Sequence, residues 1–232
     1  MTWIKICGIT NLEDALTALE ADANAVGFVF YEHSPRNVHP EIVRRIVEQL
    51  PRTVEKVGVF VHRDAGRAPE IARHCGLTAL QIHIQPSADE GAEGSGPLQA
   101  VASGEYTKMY PVFPATWFLA DSAVRLDYLS LTEKPLRRLF DTIFLDSSTP
   151  ETPGGTGVTF DWEEMSAPVQ ELKQSLKIVV AGGLTPGNVA EAIRILKPWG
   201  VDVSSGVESS PGKKDPGKVR AFIRAVRETE KN

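Results

Sequence analysis

The chain has 232 residues, 42% of them apolar and 24% charged, an ordinary globular balance that excludes disorder, collagen and coiled coil as whole-chain descriptions. Its net charge of −5 argues against a nucleic-acid partner. Cys7 and Cys75 are the only cysteines, which excludes a disulfide framework and a Cys/His metal motif. Apolar runs fall short of the roughly 18 residues of a membrane helix, and Met1–Lys5 has no apolar stretch of signal-peptide length. The expectation is a cytoplasmic protein with reduced thiols.

Eight short apolar, β-rich runs follow one another: Trp3–Cys7, Ala25–Phe30, Lys56–Val61, Ala79–Ile82, Tyr110–Phe113, Thr142–Leu145, Lys177–Ala181 and Val201–Ser204. Each has the length of a strand buried on both faces. Helix signals fill most gaps. Asn11 caps a helix carrying Ala15, Leu16, Leu19 and Ala23, with Asp14 as its capping-box partner. Pro40 opens a helix through Ile42, Val43 and Ile46. Thr185-Pro186 predicts a cap and first turn for Val189, Ile193 and Leu196, and Asp215-Pro216 does so for Val219, Phe222, Ile223 and Val226. Strands alternating with helices imply a parallel sheet, and eight units in this length fit a single-domain (β/α)8 TIM barrel; a doubly wound open sheet is the alternative. Residues 87–104, rich in Gly, Ser and acid, read as a flexible surface insertion after the fourth strand, with a short helix at Leu98–Ala102.

In a barrel the chemistry gathers at the C-terminal ends of the strands. Gly182-Gly183 and Ser205-Gly206 fall on the loops after strands seven and eight, and Gly155-Thr156-Gly157 falls after strand six. Such loops bring backbone N–H donors together around a phosphate. Cys7, at the mouth of strand one, reads either as a buried apolar residue or as a base, whereas Cys75 reads as buried and inert. Asp146 reads as a general acid in an apolar setting or as a cap of the turn through Ser147 and Ser148. Arg36 suits bidentate capture of a carboxylate, or faces solvent. His83 and Asp202 read equally well as satisfied core polar residues. Trp117-Phe118-Leu119 and Tyr128-Leu129 are either interface or helix core.

Lys5-Ile6-Cys7-Gly8-Ile9-Thr10, Gly27-Phe28-Val29-Phe30, Ser34-Pro35-Arg36, Gln81-Ile82-His83, Leu145-Asp146-Ser147, Gly154–Gly157 with Phe160-Asp161-Trp162, Ala181-Gly182-Gly183-Leu184 and Asp202–Glu208 together resemble the phosphoribosylanthranilate isomerase family. The resemblance implies a (β/α)8 barrel that carries out an Amadori rearrangement in tryptophan biosynthesis, with no metal or organic cofactor. It implies Cys7 as general base, Asp146 as general acid, Arg36 at the anthranilate carboxylate, and supporting roles for His83 and Asp202. The implied partner is a small sugar phosphate. A homodimer, or association with other tryptophan-pathway enzymes, is left open. One departure stands out: Ile84 follows His83 where the family usually has Gly. The rivals are other sugar-phosphate barrels. The histidine-pathway isomerase usually has Asp where this chain has Cys7, and a metal-dependent epimerase would need clustered His and Asp at strand ends. A non-catalytic phosphate-binding barrel would need neither Cys7 nor Asp146.

Overall fold

The computed structural model describes residues 1–84, 108–119, 140–147 and 157–231. The expected insertion at 87–104 with its helix, Tyr128-Leu129, Ser148 and Gly154–Thr156 lie outside the described residues. Strands β1 (Trp3–Ile6), β2 (Ala25–Val29), β3 (Glu55–Val61), β4 (Ala79–His83), β5 (Met109–Pro114), β6 (Thr142–Asp146), β7 (Lys177–Val180) and β8 (Gly200–Val203) form a closed barrel in sequence order. All neighbours are parallel, and β8 returns to β1 with Lys5 opposite Asp202. The open-sheet alternative is thereby excluded.

Side chains alternate across each strand. The outward set, including Ile4, Ile6, Phe28, Leu80, Ile82, Ile143 and Val201, packs beneath the helices in one continuous core. Those helices are α1 (Leu12–Glu20), α2 (Pro40–Val47), α3 (Ala68–Cys75), α4 (Trp162–Leu172), α5 (Val189–Leu196) and α6 (Pro216–Thr229). The inward set divides by height. At the N-terminal end Ala25, Val57, Ala79, Tyr110, Phe144 and Val179 form an apolar plug, with Trp3 and Trp199 packed against it and stacked at 5.4 Å. Above the plug the interior turns polar: Lys5, Gln81, Asp146 and Asp202 are all buried.

Local chemistry explains most helix starts. Asn11 and Asp215 accept hydrogen bonds from the backbone N–H of Asp14 and Lys218, satisfying donors that a helix leaves orphaned. The Thr185-Pro186 expectation needs correction, since α5 begins three residues later. Thr185 instead forms a turn in which the Asn188 carboxamide oxygen accepts from the Thr185 N–H at 2.7 Å. The Asn188 amide also donates to the Gly183 carbonyl at 3.0 Å, so this side chain braces a loop. Leu16 and Ile42, expected on buried faces, are 38% and 46% exposed. Asp14 takes the buried place instead and accepts from the Lys214 N–H at 2.8 Å. That bond docks a hairpin absent from the sequence reading, β9 (Glu208–Ser210) with β10 (Lys213–Lys214). Phe118 is buried, with Trp117 and Leu119 packed beside it, which favours the core reading of that segment. No helix among the described residues is long and apolar enough to cross a membrane.

Phe222 is fully buried on α6, so Phe222→Ala should cost about 3–5 kcal/mol in urea unfolding. Leu16→Ala should cost less than about 1 kcal/mol. Equal costs would contradict this assignment of the helix faces.

Candidate active site

A cleft opens at the C-terminal end of the barrel. Cys7, Arg36, Gln81, His83, Asp146, Gly182, Gly183, Asp202 and Ser205 are among its lining residues. Most of the residues singled out from the sequence therefore meet in one place, although they span most of the chain length.

Its innermost charged group is Lys5, which sequence reasoning passed over. Lys5 and Cys7 lie two residues apart and so share the inner face of the barrel. The Lys5 side chain is fully buried, with its Nζ 2.9 and 3.0 Å from the two carboxylate oxygens of Asp202. It also lies over the Phe144 ring at 5.7 Å. Burial works to discharge this ammonium, but Asp202 and Cys7 hold its pKa above the ordinary lysine value. Burial pushes the Asp202 carboxyl up while Lys5 opposes it. Because both Asp202 oxygens accept from one Nζ, the resting pair is ammonium and carboxylate. Burial likewise pushes the Cys7 thiol up, with the Lys5 charge pulling against it. Gly27 makes room for this group: a Cβ there would stand 2.9 Å from Cys7 Sγ and 3.0 Å from Lys5 Nζ.

Asp146 ends β6, buried and facing the cleft, which favours a cleft role over a cap. His83 ends β4, and burial lowers its pKa despite the nearby Asp146, so the imidazole is neutral. Ile84 is buried in the outer core and donates its N–H to Val112 at 2.9 Å. The departure after His83 is therefore absorbed by packing outside the cleft. Gln81 shares the inner face with His83, and its buried Oε1 accepts no hydrogen bond among the described residues. Cys75 is buried far along the chain on α3, and burial raises its pKa to about 11, as an inert structural cysteine requires.

Arg36 is not a solvent-facing residue. Its Nε and one terminal nitrogen, Nη2, donate to the two Glu208 oxygens at 2.8 Å each. Lys214 Nζ joins the same carboxylate at 2.8 Å. Two cations thus share one anion. The side-on edge of the Arg36 fork is taken, while the Nη1/Nη2 edge keeps donors for a second carboxylate. Burial holds Lys214 below the ordinary lysine range, with Glu208 opposing. Glu208 was legible as the end of the eighth-strand motif, but its task was not; Lys214 gave no sequence signal.

The glycine loops sit backbone to backbone. Gly183 has φ +64°, and a Cβ there would overlap the Val158 backbone, so the loops after β6 and β7 touch only because no side chain intervenes. Gly182, Gly183 and Ser205 line the cleft. Gly206 packs against the Leu184 carbonyl behind that lining. Gly157 precedes the exposed Val158, while Gly155 and Thr156 lie outside the described residues. Buried Ser147 Oγ and Ser204 Oγ have no hydrogen-bond partner among the described residues; Ser204 lines the cleft, which leaves its hydroxyl for an occupant, while Ser147 packs against Gly182. No group of three or more His, Cys, Asp or Glu among the described residues is placed to hold a metal ion.

The Arg36–Glu208–Lys214 cluster has a pH signature. Burial pushes Glu208 up, but Arg36 and Lys214 outweigh it and hold the carboxyl below its usual range. A depressed carboxylate contributes stability above its unfolded pKa, and loses it as pH falls through the folded one. Glu208→Gln should therefore be less stable than wild type at neutral pH in urea titrations. The gap should close as pH drops below about 4.3. A gap independent of pH would contradict this charge arrangement.

Known proteins resemble this architecture over its full length. The family described as N-(5'phosphoribosyl)anthranilate isomerase matches residues 4–225. The chain is 41% identical over 228 residues to the N-(5'-phosphoribosyl)anthranilate isomerase of Trichlorobacter lovleyi, covering 98% of this chain and 99% of that one. Among solved structures, a phosphoribosyl anthranilate isomerase in complex with reduced 1-(o-carboxyphenylamino)-1-deoxyribulose 5-phosphate aligns with TM-score 0.72 and 36% identity over 98% of this chain and all of that one. Monomers generated from the dimeric enzyme of Thermotoga maritima align with TM-score 0.74 and 35% identity, over 98% and 100% of the two chains. With its closed barrel, its strand-end thiol and carboxyl and this full-length similarity, the chain belongs to the phosphoribosylanthranilate isomerase family.

Proposed function

We propose that the chain converts N-(5-phosphoribosyl)anthranilate to 1-(2-carboxyphenylamino)-1-deoxyribulose 5-phosphate, the isomerase step of tryptophan biosynthesis. The observation that carries this reading is the convergence of Cys7 and Asp146, from non-adjacent strands, on one cleft that also presents Arg36 and the glycine loops. The similarity to an isomerase bound to a reduced form of that product supports the choice of substrate.

The reaction divides between the two groups. Asp146 protonates the furanose ring oxygen, and the ring opens to a Schiff base. The positive nitrogen acidifies C2. Cys7, as thiolate, removes the C2 proton and gives an enolamine, which tautomerises to the ketone. In ring opening the nitrogen lone pair forms the C=N bond as the C1–O bond breaks; the remaining steps are proton transfers, C1 gaining a proton as the C2 hydroxyl loses one. The Nη1/Nη2 edge of Arg36 takes the anthranilate carboxylate, while Glu208 holds the adjacent Nε/Nη2 edge. Backbone donors of Gly182, Gly183 and Ser205 take the phosphate, joined by Gly206 after β8 and Gly157 after β6; Gly155 and Thr156 precede Gly157 in the chain and belong to the same reading. Anchoring both anionic ends fixes the reacting carbons between acid and base. His83, neutral, and Asp202, held by Lys5, support the sugar hydroxyls. A cytoplasmic location belongs to this reading, and the dimeric Thermotoga enzyme supports a homodimer as the assembly, which light scattering of the purified chain would read directly.

Turnover of enzymatically generated phosphoribosylanthranilate, followed by loss of anthranilate fluorescence, tests the proposal. Wild type should turn over, while folded Cys7→Ser and Asp146→Asn should each lose at least about 10²-fold in kcat. Arg36→Met should chiefly raise KM, by roughly 10- to 100-fold for a lost charge-assisted pair. A folded, inactive wild type would sink the assignment.

A further inference from the structure

The mechanism leaves one question open: how a buried thiol comes to be a thiolate. A thiolate at the floor of the cleft, beside the Asp202 carboxylate, would place two anions against one ammonium where little water reaches. An unbalanced buried charge is costly.

We propose that Lys5 and Asp202 ionise Cys7 by a charge-neutral relay, in which the Cys7 proton passes through Lys5 to Asp202. The proposal rests on Cys7 being the base. Lys5 Nζ donates a proton to an Asp202 oxygen, making an O–H bond, and takes the thiol proton as the S–H bond breaks. Lysine ends as it began, an ammonium. The site goes from thiol, ammonium and carboxylate to thiolate, ammonium and carboxylic acid, and its net charge is unchanged throughout.

The geometry carries this. Lys5 Nζ stands 2.9 and 3.0 Å from the two Asp202 oxygens, and Cys7 lies two residues along β1 on the same inner face. Nζ and Sγ press on the same bare point of β2, the place where Gly27 lacks a Cβ. Lys5 is fully buried, so it has no competing solvent partner. Burial of Asp202, which favours its neutral form, suits it to hold the proton. The other charged and titratable groups facing the three are Lys214 on β10, which pulls the Cys7 thiol down, and Asp146 and His83 on β6 and β4, which face Asp202. Glu208 offsets Lys214 and Arg36 within its own cluster. Lys5 is a positioning residue here: it acts through Cys7.

Ultraviolet thiolate absorbance, followed against pH with Cys7→Ser as the blank for Cys75, reads the relay without reference to turnover. The relay moves a proton within the site and releases none, so wild type should hold a plateau of Cys7 thiolate that does not change with pH around neutrality. Lys5→Met and Asp202→Asn should each abolish the plateau and leave an ordinary titration that releases a proton. In Lys5→Met that titration should lie roughly 1–3 units above a free thiol, for want of an adjacent opposite charge. A purely electrostatic or packing role gives no plateau in wild type. If Lys5→Met does not fold, Lys5→Met/Asp202→Leu, which leaves no unpaired charge, should likewise lack the plateau. A wild type without the plateau, or a plateau that survives Asp202→Asn, would overturn the relay. If instead the plateau behaves as stated while folded Cys7→Ser retains wild-type turnover, the relay stands and the assignment of Cys7 as base fails.

Discussion

The barrel closes on a buried ion pair. β8 meets β1 with Lys5 opposite Asp202, and the two side chains join inside the barrel at 2.9 Å. Taking both charges out of water is costly, and a well-packed apolar pair would serve closure as well or better. Every neighbouring feature accommodates this pair. Gly27 leaves space for it, Phe144 lies beneath it, and Cys7 stands beside it on the same face of β1. Stability alone gives no reason for such an arrangement in the middle of an otherwise apolar strand; the proposed ionisation of Cys7 does.

From that pair upward, the interior follows a gradient of polarity. The aromatic plug of Trp3, Tyr110, Phe144 and Trp199 seals the N-terminal end. Glu55 meets Tyr110 and Lys108 at the N-terminal mouth, while Lys5, Asp202 and Asp146 lie toward the C-terminal half, where loops can vary without disturbing the plug. The second charged group, Arg36 with Glu208 and Lys214, lies at the rim and carries one more cation than anions. It depends on the β9–β10 hairpin, which is tied to the start of α1 by Asp14 and by the Thr10 hydroxyl, donating to the Gly212 carbonyl at 2.7 Å. An arginine held on one edge and open on the other is pre-organised for an anionic ligand, so little rotamer freedom is lost on binding.

The alternating strands were legible because a strand buried on both faces must be apolar throughout, and all eight runs, from Trp3 to Val203, became staves of the barrel. Cys7, Asp146 and the glycine pairs were legible because strand ends carry the chemistry in this fold, and because their motifs match a family. The rest was hidden by distance. Arg36 and Glu208 are 172 residues apart in the chain, and Lys5 and Asp202 are 197 apart; no local pattern links them. Lys5 did leave a trace, as a lone lysine in Trp3-Ile4-Lys5-Ile6-Cys7 at the same alternation as Cys7. The Thr185-Pro186 expectation failed because the Asn188 side chain bonds back to the loop, converting an apparent cap into a turn. Leu16 misled because helical spacing marks a stripe, and Asp14 was needed inside it to hold the hairpin.

The central claim is that Cys7 takes a proton from C2 of the sugar. Substrate carrying deuterium at C2 tests it directly, with product and solvent assayed for the label during turnover. The wild-type chain should release deuterium to solvent, and folded Cys7→Ser should release none measurably. Release at the wild-type rate in that variant would contradict that claim.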